Sequence, residues 1–488
     1  MKELYADVLT IIFQELYYLI TSNSRNEKKY KKSLYFCLFV NKHWCKIMVP
    51  ILWSYPYKHI YKKESLFNII ISHLSDNSIK FLKDEKIIEA NFQKQKLSFN
   101  YVKFCQYLND IHKIFPRISS LLEEIYKLFI SECSSIKSLN SEMACDQIYK
   151  YPGANISLSN LFELDLDKSG IIFGLDSSYQ NNYHELAQIC RAIEKIYIVL
   201  SCERGWNGNG KVMKEDRCLS QIAELIEMQR RIKYIYVKEH NNCKKINQAL
   251  EKHANSIVLL NLTIYTKNGS FLYDFLLPKL INLQYLKINS TECMLEHVIY
   301  LNYHNLQILD LVSVSLDIAI NIIRNTNGNL WKIKIRRTDD DHINEYHQTI
   351  HQYCPNIKYV SLFIYNDETL KELENIFIKC QHLVAIDILN RVGPELVNKL
   401  LNLFVDLAPL TLYKFHIDDI TNDNDFDIES LKLFFTNWYR KGRKTLHLYH
   451  IDNYLREKFV VKDIIELDYY DDDFWNHGIT MLNDERKD

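Results

Sequence analysis

Apolar residues fall along this chain in two rhythms. Over residues 4–20, apolar side chains stand at 4, 8, 9, 11, 12, 13, 16, 19 and 20. That spacing predicts a helix, with an apolar arc wider than the roughly 100° a surface helix needs. The stretch 21–32 is rich in Ser, Asn and Lys and reads as a polar loop. A second apolar segment covers 34–40, then comes Asn41-Lys42-His43-Trp44-Cys45-Lys46-Ile47, and Pro50 precedes Ile51-Leu52-Trp53. About fifty residues are too few to bury all of this apolar surface. The excess needs a second surface, either the rest of the chain or a separate protein.

The second rhythm is a repeat of the form apolar-x-x-apolar-x-apolar. Copies stand at Leu161/Leu164/Leu166, Ile193/Ile196/Ile198, Ile232/Ile235/Val237 and Ile257/Leu260/Leu262. They continue at Leu283/Leu286/Ile288, Leu306/Leu309/Leu311, Leu330/Ile333/Ile335 and Ile357/Val360/Leu362. The last are Leu383/Ile386/Ile388, Leu412/Phe415/Ile417 and a weaker Ile464/Leu467/Tyr469, with Ile136/Leu139 as a degenerate first copy. From Ile232 to Leu412 the copies recur about every 26 residues, inside the range of roughly 20–29 for leucine-rich repeats. The final apolar-x-apolar of each copy predicts a short strand with alternating faces. Intervening stretches such as 219–230 and 369–379 predict helices, so a strand and a helix per copy would stack into a solenoid. Cys133, Cys190, Cys354 and Cys380 each stand three residues before a first apolar position. A thiol is a small hydrophobe, so this slot reads as packing.

Composition narrows the function. Lys+Arg total 60 and Asp+Glu 61, a net charge of −1 that gives no global pull on nucleic acid or an anionic membrane. With 47% hydrophobic and 25% charged residues the chain reads as globular. Gly 11 and Pro 8 exclude collagen-like sequence and disfavour folds built on several glycine-rich phosphate loops. The charged start, the lack of a long apolar run and twelve Cys without a C-x-x-C pair predict an intracellular protein with reduced thiols, cytoplasmic or nuclear.

Candidate chemistry is sparse. Gly205-Trp206-Asn207-Gly208-Asn209-Gly210-Lys211 fits G-x-x-x-x-G-K, but Val212 stands where a phosphate loop needs Ser or Thr for Mg²⁺. A loop inserted in the repeat explains it better. Asp339-Asp340-Asp341-His342 with His347 and His351 has a metal-like composition, yet reads as an acidic loop before a helix. No catalytic residue, metal or cofactor is expected. Strand positions between the core residues read as an exposed face, which gathers Tyr285 and Lys287, then Lys332, Lys334 and Arg336, then Tyr359. A basic row beside aromatic rows suits an acidic or phosphorylated target.

The N-terminal residues also carry a family likeness. Leu4…Asp7-Val8-Leu9…Ile12-Phe13…Leu16, then Val40-Asn41-Lys42…Trp44-Cys45, then Pro50-Ile51-Leu52-Trp53 resemble the divergent F-box of fungal protein families. The cysteine-bearing repeats look like the leucine-rich repeats of F-box proteins. The resemblance implies an α/β protein: a three-helix F-box over 1–55, a helical connection over 56–135, a leucine-rich-repeat-like solenoid over 136–470 with helices on its convex side, and an acidic tail over 471–488. It further implies a non-catalytic substrate receptor of an SCF (cullin–RING) ubiquitin ligase. Leu4, Val8, Leu9, Ile12, Phe13, Leu16, Val40, Trp44, Leu52 and Trp53 would dock the Skp-type adaptor, and the solenoid would hold a target for ubiquitin-dependent degradation. The competing reading is a repeat scaffold for protein–protein interaction without a ligase role.

Overall fold

A computed structural model describes residues 6–22, 27–56, 63–108, 111, 114–116, 118–140, 147–166, 183–200, 212–239, 244–264, 275–290, 300–336, 341–389, 394–417, 428–449 and 465–468. The chain divides into two compact units, one made largely of Met1–Val199 and Arg204–Ile235, the other largely of His253–Asp488.

The first unit opens with three packed helices: α1 (Ala6–Ser22), α2 (Glu27–Val40) and α3 (Lys42–Ser54). The loop expected over 21–32 is therefore far shorter, because α1 runs to Ser22 and α2 begins at Glu27. Straight-chain Glu and Lys at 27–29 are good helix formers, and the apolar stripe of 34–40 draws them into one helix. Asn41 caps α3, its side chain accepting from the Trp44 N–H at 2.8 Å. Leu9, Phe13, Leu34 and Met48 form the shared core, with Leu16, Leu38, Trp44, Ile47 and Leu52 packed against it. Phe13 meets Trp44 edge-on at 5.1 Å between ring centroids.

Helices α4 (Lys63–Ile71), α5 (Asp76–Asp84) and α6 (Ser119–Glu132) follow. The backbone N–H groups of Gln106 and Tyr107 donate to Ser54 O, and Trp53 stacks on Tyr101 at 4.5 Å, so this region is fastened to the end of α3. Strands β1 (Ser138–Leu139), β2 (Glu163–Leu166) and β3 (Lys195–Leu200) pair in parallel, in sequence order. Among them stand a short α7 (Ala154–Ser157) and α8 (Tyr183–Ile189), and α9 (Val212–Glu227) packs on α8. Strand β4 (Tyr234–Glu239) and helix α10 (Lys244–Glu251) lie where the chain passes between units.

The second unit is a parallel sheet laid down in chain order. Its strands are β5 (Leu259–Ile264), β6 (Tyr285–Ser290), β7 (Ile308–Val312), β8 (Lys332–Arg336), β9 (Tyr359–Phe363), β10 (Ala385–Leu389), β11 (Lys414–Ile417), β12 (Leu446–Tyr449) and β13 (Ile465–Asp468). Helices α11 (Leu316–Arg324), α12 (Ile343–Tyr353), α13 (Asp367–Lys379), α14 (Pro394–Leu407) and α15 (Ile428–Arg440) stack in the same order. The register keeps the repeat in step. The second apolar position of each copy pairs across the sheet: Leu260, Leu286, Leu309, Ile333, Val360, Ile386, Phe415, Leu448, Leu467. This column meets the helices through aromatic contacts such as Phe404–Phe415 at 4.6 Å. Each side chain fully buried here contributes about 1.5–3 kcal/mol.

The sequence pattern conceals β12. Leu448 fills the central position of that copy, but Thr445 and His450 occupy the two outer apolar slots, so the pattern is masked although the register persists.

Four copies are also stitched to the one before them. The position just ahead of the first apolar residue carries Asn282, Asn305 and Asn329, whose side-chain amides donate to Asn255 O (2.8 Å), Ile281 O (2.9 Å) and His304 O (2.7 Å). Thr411 uses the same position to reach Gln381 O at 2.9 Å. The cysteine slot is buried at Cys133, Cys190, Cys354 and Cys380, and burial pushes the Cys190 thiol up to about 12. Gln229 takes this slot in the copy of Ile232. There it accepts from Ile193 N–H and donates to Cys190 O and Leu225 O, so a buried polar group replaces the thiol with its hydrogen bonds satisfied.

The combined Asn282→Ala, Asn305→Ala and Asn329→Ala variant is expected to lose about 1.5–4.5 kcal/mol of stability, at about 0.5–1.5 kcal/mol for each of the three hydrogen bonds. Urea denaturation of the full chain would check it, with an unchanged midpoint counting against the stitch.

Candidate functional site

Two places in the described residues concentrate functional chemistry. The first is the other face of the second unit's sheet. Alternation in a strand turns the residues between the apolar positions away from the helix-packed column. Two rows result. One runs Leu259, Tyr285, Ile308, Lys332, Tyr359, Ala385, Lys414. The next contains Lys287, Asp310 and Lys334 on neighbouring strands, and Ser361, Asp387 and His416 on neighbouring strands.

These residues are not the open row expected from the sequence. Lys332 is 3% exposed, Lys334 2% and Asp310 4%. Strands about 4.8 Å apart hold same-face side chains against one another, and the long lysine stems lie along their neighbours. Tyr285 is buried as well, whereas Lys287, Arg336 and Tyr359 keep part of their surface in solvent.

The charges are organised around Asp310. Lys287 Nζ stands 3.2 Å from Asp310 Oδ2, and the Tyr285 hydroxyl donates to that same oxygen at 3.4 Å. Arg336 Nη2 is 4.0 Å from Oδ1. Lys332 lies over the Tyr359 ring at 5.7 Å. Burial, reinforced by Lys334, Lys287 and Lys414, pulls the Lys332 amine down to about 7, against the opposing pull of Asp310. Burial together with Asp310 raises the Tyr285 phenol well above its ordinary value.

Beside this group, His416 Nδ1 meets Asp387 Oδ1 at 2.5 Å and the Ser361 hydroxyl donates to Asp387 Oδ2 at 3.3 Å. The sequence conceals this grouping, because the three residues are far apart in the chain. The signal that finds them is their shared slot in three consecutive copies. The serine donates to the carboxylate and not to the imidazole, whereas nucleophile activation requires the reverse.

The second place is the N-terminal module. Leu9 and Phe13, read from the sequence as partner contacts, fill the module's own interior, with Phe13 only 1% exposed. Leu16, Trp44 and Leu52 flank that core, and Trp53 is held by Tyr101. The surface consists of other residues. Val8, Ile11 and Ile12 form an exposed stripe on α1, and Tyr35, Phe36, Phe39 and Val40 form another on α2, with Phe39 82% exposed. Ile11, Phe36 and Phe39 were not singled out by the pattern. Lys32, Lys42, His43 and Lys46 are exposed nearby in the sequence. Leu4 lies outside the described residues.

The remaining sequence candidates separate. The glycine-rich stretch 205–211, Asp339 and Asp340 lie outside the described residues. His347 is buried, its Nε2 accepting from the Phe363 N–H at 3.2 Å, and burial pulls it down to about 3. His351 is clamped between Glu372 Oε2 at 3.0 Å and Lys379 Nζ at 3.2 Å. Among the described residues no group of three His, Cys, Asp or Glu side chains is placed to hold a metal ion, and no helix is long and apolar enough to cross a membrane. No family model matches the chain, and no curated protein matches it.

Lys332 makes the stability of the second unit pH-dependent. Its amine titrates near 7 in the fold and at 10.5 as an ordinary lysine. Between those values the unfolded chain binds more protons, so stability rises with pH, by at most about 1.4 kcal/mol per pH unit. Below pH 7 the full penalty applies. Lys332→Met should be more stable than the parent at pH 7, with the advantage shrinking towards pH 10. Chemical denaturation across that range would check it; a pH-independent difference would contradict the buried-amine account.

Proposed function

We propose that the chain is a non-catalytic substrate receptor of an SCF ubiquitin ligase, with the N-terminal helices docking a Skp-type adaptor and the repeat sheet holding the target. The observation that carries this reading is the pair of apolar stripes on α1 and α2. The three helices have already filled their core with Leu9, Phe13, Leu34 and Met48. The stripes are additional, and contiguous exposed apolar surface of this kind marks a docking site. Val8, Ile12 and Val40 of the F-box-like pattern lie on these stripes, while Leu9 and Phe13 build the scaffold that presents them. The register of the strands supports the second half of the reading, since a parallel repeat sheet offers a broad surface to a partner. The partly exposed Lys287, Arg336 and Tyr359 would be its points of contact.

Capture of a purified Skp-type adaptor by the full chain tests the docking half. Ile12→Asp and Phe39→Asp place a charge on exposed positions and should abolish capture while leaving helicity unchanged. Phe13→Asp should lose capture and module stability together, because it buries an unpaired charge. Undiminished capture by both surface variants would remove the ligase assignment.

A further inference from the structure

The Asp310 cluster contains an acceptor that the fold does not use. Asp310 is buried, and its Oδ2 serves Lys287 and Tyr285. Its Oδ1 is also buried and accepts no hydrogen bond; the guanidinium of Arg336 stands 4.0 Å away, beyond hydrogen-bond reach. A buried carboxylate oxygen left in this state carries a desolvation cost, and it calls for a donor. The surroundings are cationic: Lys287, Lys334 and Arg336 stand on neighbouring strands. Burial, and after it the neighbouring Lys334, Lys287 and Lys414, lower the proton affinity of Lys332, and Asp310 opposes them. Lys287 and Arg336 keep part of their side chains in solvent and form the open side of the cluster.

A ligand that satisfies both demands is an anion that still carries a proton. Sulfate at neutral pH has none to donate and would be repelled by Asp310. Hydrogen phosphate, or a phosphomonoester in its singly protonated form, offers an O–H to the carboxylate and anionic oxygens to the cations. We propose that the cluster around Asp310 is a phosphate-binding site, with Lys287 and Arg336 holding the anionic oxygens and Asp310 Oδ1 accepting the phosphate hydroxyl. The site is independent of adaptor docking, and its ligand is either inorganic phosphate or the phosphoryl group of a target.

Calorimetric titration of the full chain at pH 7 and matched ionic strength tests it, with inorganic phosphate and sulfate as probes. Phosphate should bind saturably and at least about tenfold more tightly than sulfate, the difference made by one charge-assisted hydrogen bond. Asp310→Asn should erase the preference. Because that residue is buried, Arg336→Met, at a partly exposed position, provides a second variant. It should weaken phosphate by about tenfold with an unchanged circular dichroism spectrum. Equal affinity for the two anions in the parent chain, or phosphate binding untouched in a folded Arg336→Met, overturns the site. A phosphoserine peptide that competes with phosphate identifies a phosphorylated target as the source; phosphate binding without competition identifies the free anion. Adaptor capture by the same Arg336→Met sample should be intact, so failure of the docking reading and failure of this one are told apart.

Discussion

The second unit depends on one column of side chains. Leu260, Leu286, Leu309, Ile333, Val360, Ile386 and Phe415 pair strand to strand, and each is buried. The column fixes register, because a slip of one residue in any strand would exchange its two faces. In β8 that slip would drive Lys332, Lys334 and Arg336 towards the helices and expel Ile333 and Ile335. The Asn and Thr side chains that reach back to the preceding copy act at a different place, on loop carbonyls that the strand ladder leaves unpaired.

Once that column is fixed, the composition of the other face follows. Its residues are brought together by register and not by nearness in the chain, so Lys287, Asp310 and Lys334 become neighbours across three copies. Burying this many charges is costly unless they are paired. The structure meets part of the cost through Asp310 and part by weakening the proton affinity of Lys332. Perturbed groups of this kind collect at functional sites. Asp387 with His416 and Ser361 shows the paired alternative, where a buried carboxylate has a partner for each oxygen.

The N-terminal helices obey a different constraint. A module this small cannot enclose every apolar residue it carries. The result is a division within single helices: Leu9 and Phe13 point inward while Val8, Ile11 and Ile12 point outward, one turn or less away. Pro50 sits inside α3, where it removes one backbone donor, and the helix nevertheless continues to Ser54 because Met48 and Val49 are anchored in the interior.

The sequence by itself determined most of the strands and their order. A strand with one helix-covered face must repeat its apolar positions, and that repeat is visible from Leu161 to Phe415 without any structure. It also determined that the cysteine slot is packing, since four small apolar side chains recur at one offset. The copy around Leu448 was lost because Thr445 and His450 break the pattern, while backbone pairing to Leu467 and Phe415 tolerates both. The start of α2 was misplaced because local polarity marks loops and exposed helix turns alike. Only tertiary structure decided which apolar residues of α1 are core and which are surface, since an all-round apolar helix carries no sign of which side its neighbours take. Only tertiary structure closed the basic row: alternation says that Lys332 and Lys334 share a face, but their burial depends on side chains from strands some twenty-five residues away, which no local pattern encodes.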